Sequence, residues 1–176
     1  LGLFAKKSKN IQEILLYCVG DIKNYNLEKA DRIGGNIFSS ISKSISNLTI
    51  YIEPNKKYKI IHEDLVANIV HGMQLRSYTF YKYKLKNKSK HNFSLKEIEI
   101  ITKDPALAKT YYAPLKSLEE GVYLTRNLVS EPANILTPKT LAEEALKLKA
   151  VGVKVEVLKL AQIKRLKMGA LLGVAM

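Results

Sequence analysis

Apolar residues fall along this chain in short clusters, and the changes in their spacing predict its elements. Ile14-Leu15-Leu16-Tyr17-Cys18-Val19 is a continuous apolar run closed by Gly20-Asp21, as expected of a central strand covered on both faces. Leu27-Glu28-Lys29-Ala30 then opens a helix that carries Ile33, Ile37, Ile41 and Ile45 at four-residue spacing on one face. Gly34-Gly35 lies inside that helix, where each glycine costs about 1 kcal/mol relative to alanine. No strand, Gly-loop and helix order supports a phosphate nest there, so close packing of the helix on a sheet is the expectation. Leu48 to Ile52 forms a second strand, halted by Glu53-Pro54-Asn55, and Lys59-Ile60-Ile61 a short extended piece. Asp64 is expected to cap a helix with Leu65, Val66, Ile69, Val70 and Met73 inward, running to about Tyr81. Glu97-Ile98-Glu99-Ile100-Ile101 alternates as a strand should. Asp104-Pro105 begins a helical region, and from Pro114 onward Leu115, Leu118, Val122 and Val129 keep helical spacing.

That helix ends at a hinge. Glu131-Pro132 stops it, because proline lacks the backbone donor and disfavours the α conformation in the residue before it. Thr137-Pro138 starts the next helix: threonine is a good N-cap, proline suits the first helical position, and Leu136 and Leu141 are spaced as a hydrophobic staple. The pattern continues as helix from Leu141 to Lys149, strand over Val153 to Val157, helix from Ala161 to Lys167 and strand from Ala170 to Ala175. This is a βαβ unit with a right-handed crossover. Its last strand needs neighbours and covering helices that the chain does not supply, so a Val153–Met176 unit by itself is expected to be poorly stable. Leu1 to Phe4 likewise reads as the end of a strand, so the chain is expected to be cut at both ends. The expected class is α/β: a mixed sheet with flanking helices over 1–112, a linker helix and hinge over 113–135, and the first βαβ part of a truncated second α/β domain over 136–176.

Composition changes this picture little. The chain has 176 residues, and the lone Cys18 excludes an internal disulfide and fits a reducing, cytoplasmic compartment. No apolar run reaches the length of a membrane helix, and the opening LGLFAKKSKN is neither a signal nor a transit peptide. The formal charge of +13 invites a nucleic-acid partner, with lysine at every second position from Lys82 to Lys90 beside Tyr78, Phe80, Tyr81 and Tyr83. Of the 29 basic residues, however, only Arg32, Arg76, Arg126 and Arg165 are arginines. A solvated lysine loop is therefore the plainer expectation for that segment.

Self-contained catalytic chemistry is not legible. His62, His71 and His91 are far apart and read as surface or satisfied histidines rather than metal ligands. Glu119-Glu120 and Glu143-Glu144 are helix neighbours pointing about 100° apart, hence solvated faces and not dyads. Glu131 in the hinge is better explained by local hydrogen bonding around the proline turn than as a catalyst. No nucleophile elbow, phosphate loop or dinucleotide fingerprint occurs. No residue is assigned a catalytic, metal-binding or cofactor-binding role.

Three ordered stretches carry a family likeness. Arg126-Asn127-Leu128-Val129-Ser130-Glu131-Pro132-Ala133-Asn134-Ile135-Leu136-Thr137-Pro138, followed by Leu141-Ala142, closely resembles the junction between the N-terminal and catalytic domains of the leucyl (cytosol) aminopeptidases. Leu166-Lys167-Met168-Gly169-Ala170-Leu171-Leu172-Gly173-Val174-Ala175 is similar to that family's Leu-Gly-Met-Gly-Ala-Leu-Leu-Gly-Val, with Lys167 where a glycine is usual. Leu75-Arg76-Ser77-Tyr78-Thr79-Phe80-Tyr81-Lys82-Tyr83-Lys84 resembles its Ser-Tyr-Arg-Phe-Asp-Lys-Tyr-Lys.

The resemblance implies a macro-domain-like N-terminal domain, a linker helix from about Pro114 to Ser130, and the first edge of a catalytic domain. For the full-length enzyme it implies a cytosolic, hexameric metallo-exopeptidase that uses two divalent ions (manganese, zinc or magnesium) to remove N-terminal residues from peptides. Its metal ligands and catalytic residues would lie beyond Met176, so this chain alone is expected to be inactive. Two alternatives stand beside that reading: a DNA-binding architectural or regulatory module, and an inactive remnant of an aminopeptidase gene.

Overall fold

A computed structural model describes residues 2–3, 14–17, 19, 25–41, 45–54, 60–84 and 95–174. The chain divides into two compact units, Leu1–Arg126 and Asn127–Met176.

The first unit is built on two crossing helices, α1 (Leu27–Ser40) and α2 (His62–Ser77). Asn26 caps α1, its side-chain oxygen accepting the Lys29 amide at 2.8 Å. Ala30, Phe38 and Ile41 from the α1 segment pack with Leu65, Ile69 and Met73 of α2 as the buried core. Strands β3 (Asn47–Tyr51) and β4 (Glu97–Ile101) pair in parallel, from Asn47↔Glu97 to Tyr51↔Ile101. Their two-residue alternation turns Leu48, Ile50 and Ile98 onto that core and leaves Thr49, Tyr51, Glu99 and Ile101 exposed. A mixed α/β fold is therefore present, and β1 (Gly2–Leu3) and β2 (Leu15–Leu16) add a short antiparallel pair.

Three local expectations need correction. Gly34 packs on a helix, not on a sheet: a methyl at Gly34 would overlap the Ile69 carbonyl oxygen of α2, and one at Gly72 would overlap the Asp31 carbonyl oxygen of α1. Two glycines, one on each helix, thus let the backbones approach where any side chain would hold them apart. Asp64 lies inside the first turn of α2 instead of capping it. The helix begins after Ile61, and the Asp64 carbonyl and carboxylate both accept the Asn68 amide, at 2.9 and 3.0 Å. The run from Ile14 is not a strand covered on both faces, since its ladder spans Leu15–Leu16 and Leu16 is 57% exposed. Cys18, His91, Lys86, Lys88 and Lys90 lie outside the described residues.

Helix α3 (Pro105–Ser130) starts earlier than Pro114, because Asp104 accepts the Leu107 amide at 3.0 Å as an N-cap and Pro105 fits the first helical position. Pro114 sits in its interior without ending it, between the buried side chains of Ala108 and Glu119. Leu118 and Val129, aligned with the apolar face by spacing, are instead exposed.

In the second unit the hinge forms as its residues dictate. Helix α3 stops at Ser130, and the Ile135 and Leu136 amides both donate to the Pro132 carbonyl at 2.9 Å. Thr137 and Thr140 close a reciprocal capping box at the head of α4 (Pro138–Lys147). A 3₁₀ turn (Leu148–Val151) ends at Gly152, whose φ of 87° suits glycine. The expected strands of the βαβ unit do not form. Residues 153–159 have no ladder partner, and the segment expected as a strand from Ala170 belongs to a helix, α6 (Gly169–Val174), after α5 (Leu160–Arg165). A strand cannot satisfy its backbone without a neighbour, so Ala170, Leu171 and Leu172, all good helix formers, bond locally instead. No described residue of this unit is buried, and Val153, Leu160 and Leu171 are 47%, 58% and 53% exposed.

Between α5 and α6, Lys167 adopts φ 54°, in the left-handed region that a side chain disfavours. This is the position where the family motif carries glycine. Lys167→Gly is expected to stabilise the second unit by about 1 kcal/mol, since left-handed strain costs ~1–2 kcal/mol and glycine's extra chain entropy returns part of it. Urea denaturation followed by far-UV circular dichroism would check this; an unchanged or lowered midpoint would count against a strained turn.

Candidate functional site

Polar and charged groups gather in the first unit, where α1, α2 and α3 meet. The close crossing at Gly72 brings Asp31 of α1 against the part of α2 that carries His71. His71 is 4% exposed, and its Nδ1 lies 2.8 Å from Oε1 of Glu119 on α3, itself 4% exposed. The Tyr112 hydroxyl donates to the other oxygen of Glu119 at 2.7 Å. Both carboxylate oxygens are thus engaged, and this side of α3 is tied to α2 through a buried ionisable group. Burial, followed by the hydrogen bond to Glu119, pushes the Tyr112 hydroxyl well above its ordinary pKa, so it stays a donor.

Reading Glu119-Glu120 as a solvated pair is therefore wrong for one member. The 100° step between helix neighbours that rules out a dyad also sends Glu119 inward while Glu120 faces solvent. His71 is the satisfied histidine expected. The ring nitrogens of His62 are buried and have no hydrogen-bond partner among the described residues.

Asp31 is the least satisfied member of the group. Its Oδ1 is buried without a hydrogen-bond partner among the described residues, and burial raises its pKa, with His71 opposing and Glu119 reinforcing the rise. A carboxyl with a raised native pKa binds more protons folded than unfolded between the two values, so stability climbs as pH falls through that window and levels off below the ordinary value of 3.8. Asp31→Asn should accordingly stabilise the protein at neutral pH, with the gain shrinking toward zero below that value. Thermal unfolding from pH 3 to pH 8 measures the difference, and a constant offset across the range would contradict the assignment.

Beside Asp31 opens a cleft of about 440 Å³ lined by Asp31, Arg32, Gly72, Leu75, Arg76, Tyr78 and Arg126. Arg126 donates through Nη1 to the Leu75 carbonyl at 2.6 Å and lies over the Tyr78 ring, 5.4 Å from its centre. Arg76 donates through Nε to the Ser39 hydroxyl at 2.7 Å. The Tyr123 hydroxyl bonds the Gln74 carbonyl, and its ring tilts against Tyr78 at 5.3 Å. Two of the recognisable stretches, the one from Leu75 and the one opening at Arg126, are thus brought together in space. Nothing in their spacing along the chain announced it. Among the described residues no group of three or more His, Cys, Asp or Glu could hold a metal ion. No described helix is long and apolar enough to cross a membrane.

Comparisons with known proteins agree with the recognisable stretches. The family model "Cytosol aminopeptidase family, N-terminal domain" matches residues 2–87, and "Cytosol aminopeptidase family, catalytic domain" matches residues 123–176. A probable cytosol aminopeptidase of Brucella anthropi is 39% identical over 171 residues, covering 96% of this chain and 34% of that protein. The chain thus spans about a third of the length of the curated relatives it matches. A mutant of tomato leucine aminopeptidase superposes with a TM-score of 0.67 at 24% identity, over 81% of this chain and 29% of that one. The bottromycin maturation enzyme BotP, in a complex with Mn, gives 0.70 at 16% identity over 94% of this chain and 34% of that one. At these identities the two solved structures show a shared fold.

Proposed function

Since the chain belongs to the cytosol aminopeptidase family, we propose that it is the N-terminal domain, linker and opening catalytic segment of a cytoplasmic, metal-dependent aminopeptidase, and that alone it hydrolyses nothing. The observation that carries this is the order of the two family matches, N-terminal domain over 2–87 and catalytic domain over 123–176, with α3 running from the gap between them into the second, which contains the hinge. In this reading the domains divide at 1–112, 113–135 and 136–176. The two divalent ions, their ligands and the groups that attack the peptide bond belong to the two thirds of the relatives that the chain does not span. Its own contribution is structural: α3, tied to the first unit by Glu119, and the capped turn after Ser130 lead the chain into the catalytic segment, in an enzyme that assembles as a hexamer. Leucine p-nitroanilide with added manganese tests the reading. The purified 176-residue chain should show no turnover above buffer, and turnover abolished by a chelator would overturn the claim that the chemistry lies elsewhere.

A duplex-DNA role rests on the charge of +13 and the lysine alternation after Tyr81. Of those lysines, Lys82 and Lys84 are described, and each ammonium lies over a tyrosine ring, Tyr83 at 5.4 Å and Tyr81 at 5.3 Å. Each of those rings therefore has one face covered, which weakens the case for base stacking. The aminopeptidase reading is the stronger one.

A further inference from the structure

Arginine is scarce in this chain, at four positions among 29 basic residues, yet Arg32, Arg76 and Arg126 all line the one cleft beside Asp31. Lysine serves nearly everywhere else, and lysine would serve here if only positive charge were needed. What arginine adds is a planar fork that binds oxyanions through two parallel hydrogen bonds. The forks are also held in place. Arg76 uses Nε on Ser39, which leaves both of its Nη groups without a partner among the described residues. Arg126 is fixed between the Leu75 carbonyl and the Tyr78 ring with most of its donors unused.

Charge pairing narrows the occupant. Arg32 is already paired with Glu28 at 3.3 Å, so Arg76 and Arg126 are the two guanidiniums open to a ligand, and their two forks suit the oxygens of a phosphate monoester. The acceptor is equally specific. Asp31 Oδ1 is buried without a donor among the described residues, a state that natural proteins rarely leave uncompensated. Asp31 also lines the cleft, where a ligand hydroxyl would meet its carboxylate, as acidic side chains meet sugar hydroxyls in nucleotide sites. Leu75 and Tyr78 supply an apolar wall for the carbon face of such a molecule in this open cleft. We propose that this cleft binds a phosphate monoester carrying a free hydroxyl, such as a sugar phosphate or a nucleoside monophosphate, with its phosphate on Arg76 and Arg126 and its hydroxyl on Asp31.

The site lies wholly in the first unit and does not depend on peptide hydrolysis, so its failure would leave the aminopeptidase reading standing. Calorimetric titration of the 176-residue chain with ribose 5-phosphate, adenosine monophosphate, inorganic phosphate and ribose tests it. Both esters should bind more tightly than inorganic phosphate, the stronger of the two naming the source, and ribose should not bind. Arg76→Gln should weaken all three phosphates about tenfold or more, the worth of a lost charged hydrogen bond. Arg76→Lys, which keeps the charge and loses the fork, should follow it. Asp31→Ala, which removes both the charge and the acceptor, should act in two directions, tightening inorganic phosphate while erasing the advantage of the esters. Arg165→Gln, which removes the same charge outside the cleft, should change affinity less than twofold. Equal losses in the Arg165 and Arg76 variants would mean general polyanion attraction and would overturn the proposal. So would an absence of phosphate binding in a chain with its native circular dichroism spectrum.

Discussion

Gly72→Ala is expected to abolish cooperative folding of the first unit, or to destabilise it by about 3 kcal/mol or more, the upper range of overpacking penalties. The added methyl would sit 2.7 Å from the Asp31 carbonyl carbon and overlap its oxygen, so the obstacle is backbone rather than a flexible side-chain end. Relief requires α1 and α2 to separate, and separation opens the contacts of Ala30, Phe38, Leu65, Ile69 and Met73 that make up the core. Gly34→Ala meets the Ile69 carbonyl in the same way and should behave alike, whereas Gly121→Ala on α3, with open space around it, should be neutral or slightly stabilising. Urea denaturation of the three variants decides the matter: midpoints for Gly34 and Gly72 variants within 0.5 kcal/mol of the parent would mean the helices do not cross this closely.

Glu119→Ala should cost about 3–5 kcal/mol, the range for removing one member of a buried charged pair, while Glu120→Ala one residue later should change stability by less than about 0.5 kcal/mol. Loss of Glu119 strands two buried donors at once, Nδ1 of His71 and the hydroxyl of Tyr112. His71→Ala and the double variant complete a cycle. Because a large share of each single cost is the penalty of the orphaned partner, the double variant should lie well short of the sum. Additive losses would show that the pair contributes nothing jointly. Equal behaviour of Glu119 and Glu120 variants would show that α3 presents another face to α2.

Local chemistry was legible from the residues, and partnership across the chain was not. Thr137-Pro138 and Asp104-Pro105 specify their helix starts through groups within four residues, and both starts form. The alternation in Leu48–Ile52 and Glu97–Ile101 marked strands for the same reason, although nothing in it said that the two would pair in parallel. Misreadings arose where the deciding neighbour is remote or missing. Gly34 was set against a sheet because glycine pairs in helices fit either surface, and only the crossing at Ile69 and Gly72 reveals which. The strand expected from Ala170 rested on an apolar run that a sheet would use and a helix also tolerates. With no ladder on offer among the described residues, the helix forms. Glu119 and Asp31 were invisible as site residues, since one looked like half of a surface pair and the other like an ordinary helix carboxylate. The scarcity of arginine was the signal that could have located the cleft.

The parallel pairing of Asn47–Tyr51 with Glu97–Ile101 also carries an entropic cost as the protein folds. Parallel strands cannot be joined by a tight turn, and the connection from β3 to β4 carries α2, which packs on the core. The helix crossing at Gly34 and Gly72 brings together residues nearer in sequence, and it presents the apolar surface on which Leu48, Ile50 and Ile98 come to rest. Pairing β4 with β3 thus closes a longer loop than crossing the two helices does, and carries the larger closure entropy of the two.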